Sequence, residues 1–314
     1  MRSASTAPIL TRGDLAANIT SYARHLRAAN LTPATQRTYL ASLDRLARFL
    51  EERGMPTDVA AMRREHLEAF IEDQLARWKP ATAANRYSGI RPFFTWLVEE
   101  GELRESPMIH MRKPRLPEQA PPIPSDIAVE RLLATCEGPG LAARRDAAIL
   151  RTFLATGARL SEVAGLRWTP DPATNDVDLD AGVIRIVRGK GQRERISYLS
   201  AKAVKAIDRY LRVRRTHAHA ALPWLWLGEK GRLTASGIVQ MLKRRSRDAG
   251  VTGVHPHSFR HWYANEALSS GLQEGEIMAL AGWTSREMLS RYAKAAERER
   301  AVAAARRVNV GDRL

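Results

Sequence analysis

Between Lys113 and Ser125 the chain reads Lys-Pro-Arg-Leu-Pro-Glu-Gln-Ala-Pro-Pro-Ile-Pro-Ser, with five prolines in thirteen residues. Proline locks φ and removes a backbone donor, so no helix crosses this stretch. The run reads instead as an extended, semi-rigid connector between two independently built parts. At 314 residues the chain is long enough for two domains. The expected division is a helical domain over residues 13–112, a linker over 113–125, a second domain over 126–300 and a tail over 301–314.

Before the linker, apolar residues recur at three- and four-residue spacing. The spacing predicts helices over 15–29, 31–54, 66–76 and 80–101. In the second of these Thr32 caps, Pro33 opens the first turn, and Tyr39, Leu43, Leu46 and Leu50 form the stripe. Pro92 lies inside the fourth pattern and is expected to kink or split it. The first hundred residues therefore read as a four-helix bundle with a basic surface.

After the linker, helical patterns cover 126–136, 142–155 and 161–166, and the period then changes to that of strands over 177–199. Residues 183–187 and 195–199 flank Gly189-Lys190-Gly191-Gln192, a turn that suits a β-hairpin with Lys190 at its tip. Helical patterns return over 201–214, 235–248, 258–269 and 274–281, and again from Ser285. The fold class that follows is mainly α, an N-terminal helical domain joined to an α+β domain with a small antiparallel sheet.

Charge narrows the partner. Lys and Arg number 50 against 34 Asp and Glu, a net +16. Residues 1–120 hold 18 of the basic and 14 of the acidic residues, so both parts are basic and the second more so. A polyanion is the expected partner. One cysteine, Cys136, excludes a disulfide framework and a multi-cysteine metal cluster, and it reads as a small buried apolar residue. The N-terminus has no apolar h-region, and no uncharged apolar run approaches the roughly 20 residues of a membrane span. The expectation is a protein of the cytoplasm, associated with the nucleoid, with no membrane partner and no small-molecule substrate.

Four places concentrate polar chemistry beyond what packing asks for. Arg159 follows Gly157 and directly precedes a helix start. Lys190 sits on its glycine-flanked turn. His255-Pro256-His257-Ser258-Phe259-Arg260-His261 places His257 and Arg260 one helical turn apart. Tyr292 lies among polar and basic neighbours. Singly, Arg159 reads as a capping residue, Lys190 as a solvated turn lysine and Tyr292 as a half-buried core aromatic. His257 and His261 have the spacing of a metal pair, but the Glu of His-Glu-x-x-His is absent and no third ligand cluster is evident. His217 and His219 read as solvated. Together, Arg, Lys, His-x-x-Arg and Tyr supply what phosphodiester transesterification needs: cations for the developing charge, an acid and a nucleophile.

The order and spacing resemble the tyrosine recombinase, or phage integrase, family, in particular its two-domain Xer-type members. The resemblance rests on Ala155-Thr156-Gly157-Ala158-Arg159-Leu160-Ser161-Glu162-Val163 with Leu166-Arg167-Trp168, on Gly189-Lys190-Gly191, on His257-Ser258-Phe259-Arg260-His261, and on Leu280-Ala281-Gly282-Trp283 with Tyr292 nine residues later. Leu31-Thr32-Pro33-Ala34-Thr35 and Phe93-Phe94-Thr95-Trp96-Leu97 extend it to the helical, SAM-like core-binding domain, so that it covers about residues 13–300. Trp283 stands where the commoner residue is His, Pro92 interrupts a helix, and the loop over 169–176 is longer than usual.

The resemblance implies catalytic roles for Arg159, Lys190, His257, Arg260, Trp283 and the nucleophile Tyr292. It implies site-specific recombination through a 3′-phosphotyrosine link, with no cofactor, metal or ATP. The two domains would clamp double-stranded DNA, and a homo- or hetero-tetramer would assemble on paired sites, the tail docking on a neighbouring protomer. Two other readings stand beside it: a catalytically idle DNA-binding protein of the same fold, and relaxation of the type IB topoisomerase kind. A metal-dependent nuclease using His257 and His261 is a third.

Overall fold

The computed structural model describes residues 13–117, 123–187, 194–283, 289, 301–302 and 305–306. Lys190, Tyr292 and most of the tail lie outside them. The chain divides into two compact units, Met1–Glu118 and Gln119–Leu314. Residues 113–117 and 123–125 form neither helix nor strand.

In the first unit the described residues form four α-helices, α1 (Leu15–Ala28), α2 (Pro33–Glu52), α3 (Arg64–Arg77) and α4 (Pro80–Glu99), with a 3-10 turn at Val59–Ala61. Asp14 and Thr32 begin α1 and α2 by accepting from the N–H groups of Ala17 and Thr35, at 3.0 and 3.2 Å. Each satisfies a donor that the first helical turn leaves open. Leu43, Leu46 and Leu50 are buried as their spacing predicts, packed with Phe70, Phe93, Phe94 and Leu97. Tyr22 meets Phe93 edge-on at 5.3 Å. Tyr87 donates from its hydroxyl to the Met111 carbonyl at 2.6 Å, folding the segment after α4 back onto it.

Pro92 does not split α4, which runs through it as one helix. Ile90, Phe93, Phe94, Trp96 and Leu97 on either side of it are all buried, and their packing offsets the one hydrogen bond that proline withholds.

The second unit contains α5 (Asp126–Ala134), α6 (Leu141–Thr156), α7 (Leu160–Ala164), a sheet of β1 (Val177–Asp178), β2 (Val183–Ile186) and β3 (Arg195–Tyr198), then α8 (Ala201–Arg214), a ribbon of β4 (Leu227–Gly228) and β5 (Gly231–Arg232), and α9 (Ala235–Asp248), α10 (Pro256–Ser269) and α11 (Glu274–Ala281). The strands β2 and β3 pair antiparallel with Ile184 opposite Ser197 and Ile186 opposite Arg195. Val177–Asp178, at the start of the stretch read as strands, pairs with β2 as the third strand, while the β4–β5 ribbon is too short for alternation to show. The loop over 169–176 lies back on the sheet: Arg185 of β2 donates to the carbonyls of Ala173 and Asn175, and Asp176 accepts from the Arg167 N–H at 2.8 Å.

The core of this unit joins Ile149, Leu150 and Phe153 of α6 to Tyr210 of α8 and Phe259 of α10, with Trp226 beside them. Cys136 is buried there. Asp146, wholly buried, is bonded by Arg145 and by Arg245 of α9, and Arg245 also donates to the Thr135 carbonyl. Arg214 donates to the carbonyls of Ala220, Leu222, Trp224 and Leu225, closing the turn after α8. His217 and His219 in that turn are half-buried and face each other at 5.6 Å, so they are not the fully solvated pair that the sequence suggested. Among the described residues no helix is long and apolar enough to cross a membrane.

Gly89 marks the closest approach of α2 and α4, because a Cβ there would meet Ser42 Oγ and lie 2.8 Å from Ser42 Cβ. Gly89→Val should therefore cost about 1 to 3 kcal/mol through overpacking. Urea unfolding of the intact chain measures this, and Ser42→Gly in the same chain should recover part of the loss.

Candidate active site

The site grows from the end of α6. Gly157 ends that helix with φ +55°, and a Cβ there would lie 2.6 Å from Tyr263 Cδ1. Glycine is required for both conformation and space. The turn it makes carries Arg159 to the first position before α7, with its side chain 38% exposed.

Glu162, one turn into α7, holds that arginine. Its Oε2 accepts the Arg159 backbone N–H at 2.8 Å and its Oε1 the Arg159 Nη1 at 3.0 Å. From the other side Arg195 of β3 donates Nη1 and Nη2 to the same carboxylate at 3.1 and 2.8 Å. Burial pushes the Glu162 pKa up, but the bonds from Arg195 and from the Arg159 N–H outweigh it and bring the carboxyl down to about 2. Neither Glu162 nor Arg195 was singled out from sequence. A carboxylate three residues after an arginine, and an arginine at a strand start, carried the only signal.

Arg260 is 1% exposed and ties two elements together. Its Nη1 donates to the Gly157 carbonyl at 2.7 Å and its Nη2 to the Ala281 carbonyl at 2.9 Å. Its guanidinium stands 4.8 Å from the centroid of the Trp283 ring, a cation–π contact with a side chain 4% exposed. Gly282, with φ +63°, ends α11 and turns the chain into Trp283.

His257, one turn before Arg260 on α10, is exposed. Loss of water on its inner side, then the charges of Arg260, His255 and Arg159, draw its pKa below the ordinary histidine value. Desolvation and the neighbouring cations both disfavour the protonated ring. His261 lies edge-on to His257 at 4.6 Å. Buried to 3% exposure, it is pushed by desolvation, then by His257, His255 and Arg260, to about 4.

Of the six expected site residues, the structure brings together Arg159, His257, Arg260 and, through Arg260, Trp283. Lys190 and Tyr292 lie outside the described residues. Among the described residues no three His, Cys, Asp or Glu side chains gather as a metal site. Arg159, 38% exposed at its side chain, and His257 are the more accessible polar groups of this cluster, while Arg260 is buried behind them.

Residues 126–299 match the family model described as the phage integrase family, and residues 19–101 the one described as the phage integrase N-terminal SAM-like domain. The tyrosine recombinase XerC of Xanthomonas axonopodis pv. citri (strain 306) is 30% identical over 235 residues, covering 72% of this chain and 73% of that protein. Among solved structures, the XerH site-specific recombinase bound to palindromic difH substrate, in a post-cleavage complex, shares the fold at a TM-score of 0.72. It is 17% identical and the match covers 91% of this chain and 83% of that one. A lambda integrase tetramer bound to a Holliday junction aligns at 0.67 and 14% identity, over 91% of this chain and 82% of that one.

Two acid-sensitive groups in this site make a stability test. His261 titrates at about 4 in the folded chain against 6.5 when free. The unfolded chain therefore takes up its proton first, and stability should fall as pH drops from 6.5 to 4. Glu162 has the opposite chemistry and the same sign: at about 2 against 4.5, it contributes on the order of 3 kcal/mol above pH 4.5, lost as pH falls towards 2. Denaturant unfolding across pH should show both windows, and Glu162→Gln should flatten only the lower one.

Proposed function

The chain belongs to the phage integrase family of tyrosine recombinases, and from that premise we propose that it cuts and rejoins DNA strands at specific sites through a covalent 3′-phosphotyrosine intermediate. What supports the reading is that Arg260 ties the Gly157 turn, two residues before Arg159, to the end of α11 and Trp283, with His257 one turn before it on α10, in a fold shared with recombinases solved on DNA. The net charge of +16 supports a duplex partner whose phosphates supply salt-dependent affinity.

In this reading Arg159 and Arg260 hold the non-bridging oxygens of the scissile phosphate, and Trp283 backs Arg260 and offers its indole N–H. The hydroxyl of Tyr292 attacks phosphorus. A free tyrosine has a pKa of about 10, so it needs a base near neutrality, and His257, kept uncharged by its neighbours, takes the proton. The bond to the 5′-oxygen breaks as Lys190 protonates it. One ester replaces another, so the step consumes no ATP and calls for no metal. Rejoining is the reverse attack by a 5′-hydroxyl, from the same strand or from a partner strand within a tetramer on paired sites. Such a protein works where the chromosome is, in the cytoplasm. The same chemistry serves integration, excision or resolution.

Nicked suicide duplexes drawn from the chain's genomic neighbourhood, incubated in EDTA without ATP, should yield a protein–DNA adduct that survives denaturation and is lost in Tyr292→Phe. Arg159→Ala should slow its formation on the order of 100- to 1000-fold, as loss of a preorganised donor does elsewhere. A substrate with sulfur as the leaving atom should rescue Lys190→Ala and not Arg159→Ala. No adduct on a duplex that the protein demonstrably binds would favour an idle DNA-binding protein, and relaxation of supercoils without partner exchange the topoisomerase alternative.

A further inference from the structure

The bonds of Arg195 and Arg260 close a circuit. Starting at Gly157, Arg260 links its carbonyl to that of Ala281. The preceding carbonyl, Leu280, accepts Arg195 Nε at 3.0 Å and Ser197 Oγ at 2.9 Å. Arg195 then clasps Glu162, and Glu162 clasps Arg159, two residues from the starting glycine. Strand β3, the end of α11 and the α6–α7 turn are fastened at one point, and that point is a guanidinium 8% exposed.

The shape of the group matters. Arg195 reaches a carboxylate with two nitrogens and a carbonyl with the third, which a planar fork does and an ammonium cannot. Glu162 also accepts from Arg159, the more exposed of the two clamping arginines. A long exposed side chain carries about 2 kcal/mol of rotamer entropy, so left to itself Arg159 would sample many directions. A carboxylate held from behind restricts it to one.

We propose that Arg195 is a positioning residue for strand transfer, fixing through Glu162 the direction in which Arg159 presents its guanidinium to the scissile phosphate. This rests on the recombinase reading above. It adds that the hairpin strand next to the lysine turn, and not α7 alone, aims the first phosphate clamp.

The test compares Arg195→Met, Arg195→Lys, Glu162→Gln and the Arg195→Met/Glu162→Gln double variant. Each is assayed for single-turnover adduct formation on the suicide duplex, for affinity for that duplex and for thermal unfolding. Arg195→Met should lower the cleavage rate about 100-fold, as a displaced catalytic group does, while affinity holds. Arg195→Lys should restore only part of the rate. The double variant should be no slower than Arg195→Met, because both changes break one linkage. If Arg195→Met loses its thermal transition, the partial activity of Arg195→Lys in a folded chain carries the rate comparison.

A readout independent of cleavage is the ¹⁵Nη resonance of Arg159, whose Nη1 bonds Glu162 Oε1, in the intact chain: its N–H protons exchange slowly in the wild type and fast in either Arg195 variant. Full activity of Arg195→Lys, additive losses in the double variant, or an unchanged Arg159 resonance would overturn the proposal. Absence of any adduct from the wild type would overturn the recombinase reading and the catalytic role of Arg195 with it, whereas the nitrogen spectra would still decide whether Arg195 fixes Arg159.

Discussion

The carboxylate of Glu162 joins the Arg159 turn to strand β3. Glu162 is 7% exposed at its side chain and accepts from two arginines and a backbone N–H. An isolated buried carboxylate would be expensive, and one arginine alone would leave lone pairs unsatisfied. With donors from both sides it stays ionised, and the charge that keeps it so is shared between a buried arginine and an exposed one. The exposed partner, Arg159, is the group free to face solvent and a ligand.

The same balance recurs away from the site. Asp146 is enclosed by Arg145 and Arg245, and Arg214 spends its donors on four carbonyls of one turn. Removing one partner of a buried pair of this kind costs about 3 to 5 kcal/mol, because the other charge is left without compensation. Arginine in this chain therefore has two jobs that composition cannot separate. Some of the basic excess faces outward, where it can meet a polyanion. Another part is buried, bonding carboxylates and carbonyls inside the second unit.

Histidine shows the electrostatic consequence. Desolvation and neighbouring cations both disfavour a protonated ring at His257 and His261. The cations beside these rings, with burial, favour their uncharged form.

The sequence by itself determined the helices of both units, because amphipathic periodicity and caps such as Thr32 are local properties. The proline run and the motifs around Arg159, His257, Arg260 and Trp283 are likewise local features of the sequence. The continuity of α4 through Pro92 and the partners of Arg260 were not legible there. Each depends on contacts between residues far apart in the chain: Arg260 with Gly157 and Ala281, Arg195 with Glu162 and Leu280. Local pattern records which face of an element is apolar. Which carboxylate an arginine finds is settled only when packing brings separate elements within hydrogen-bond reach and removes the water that would otherwise satisfy both.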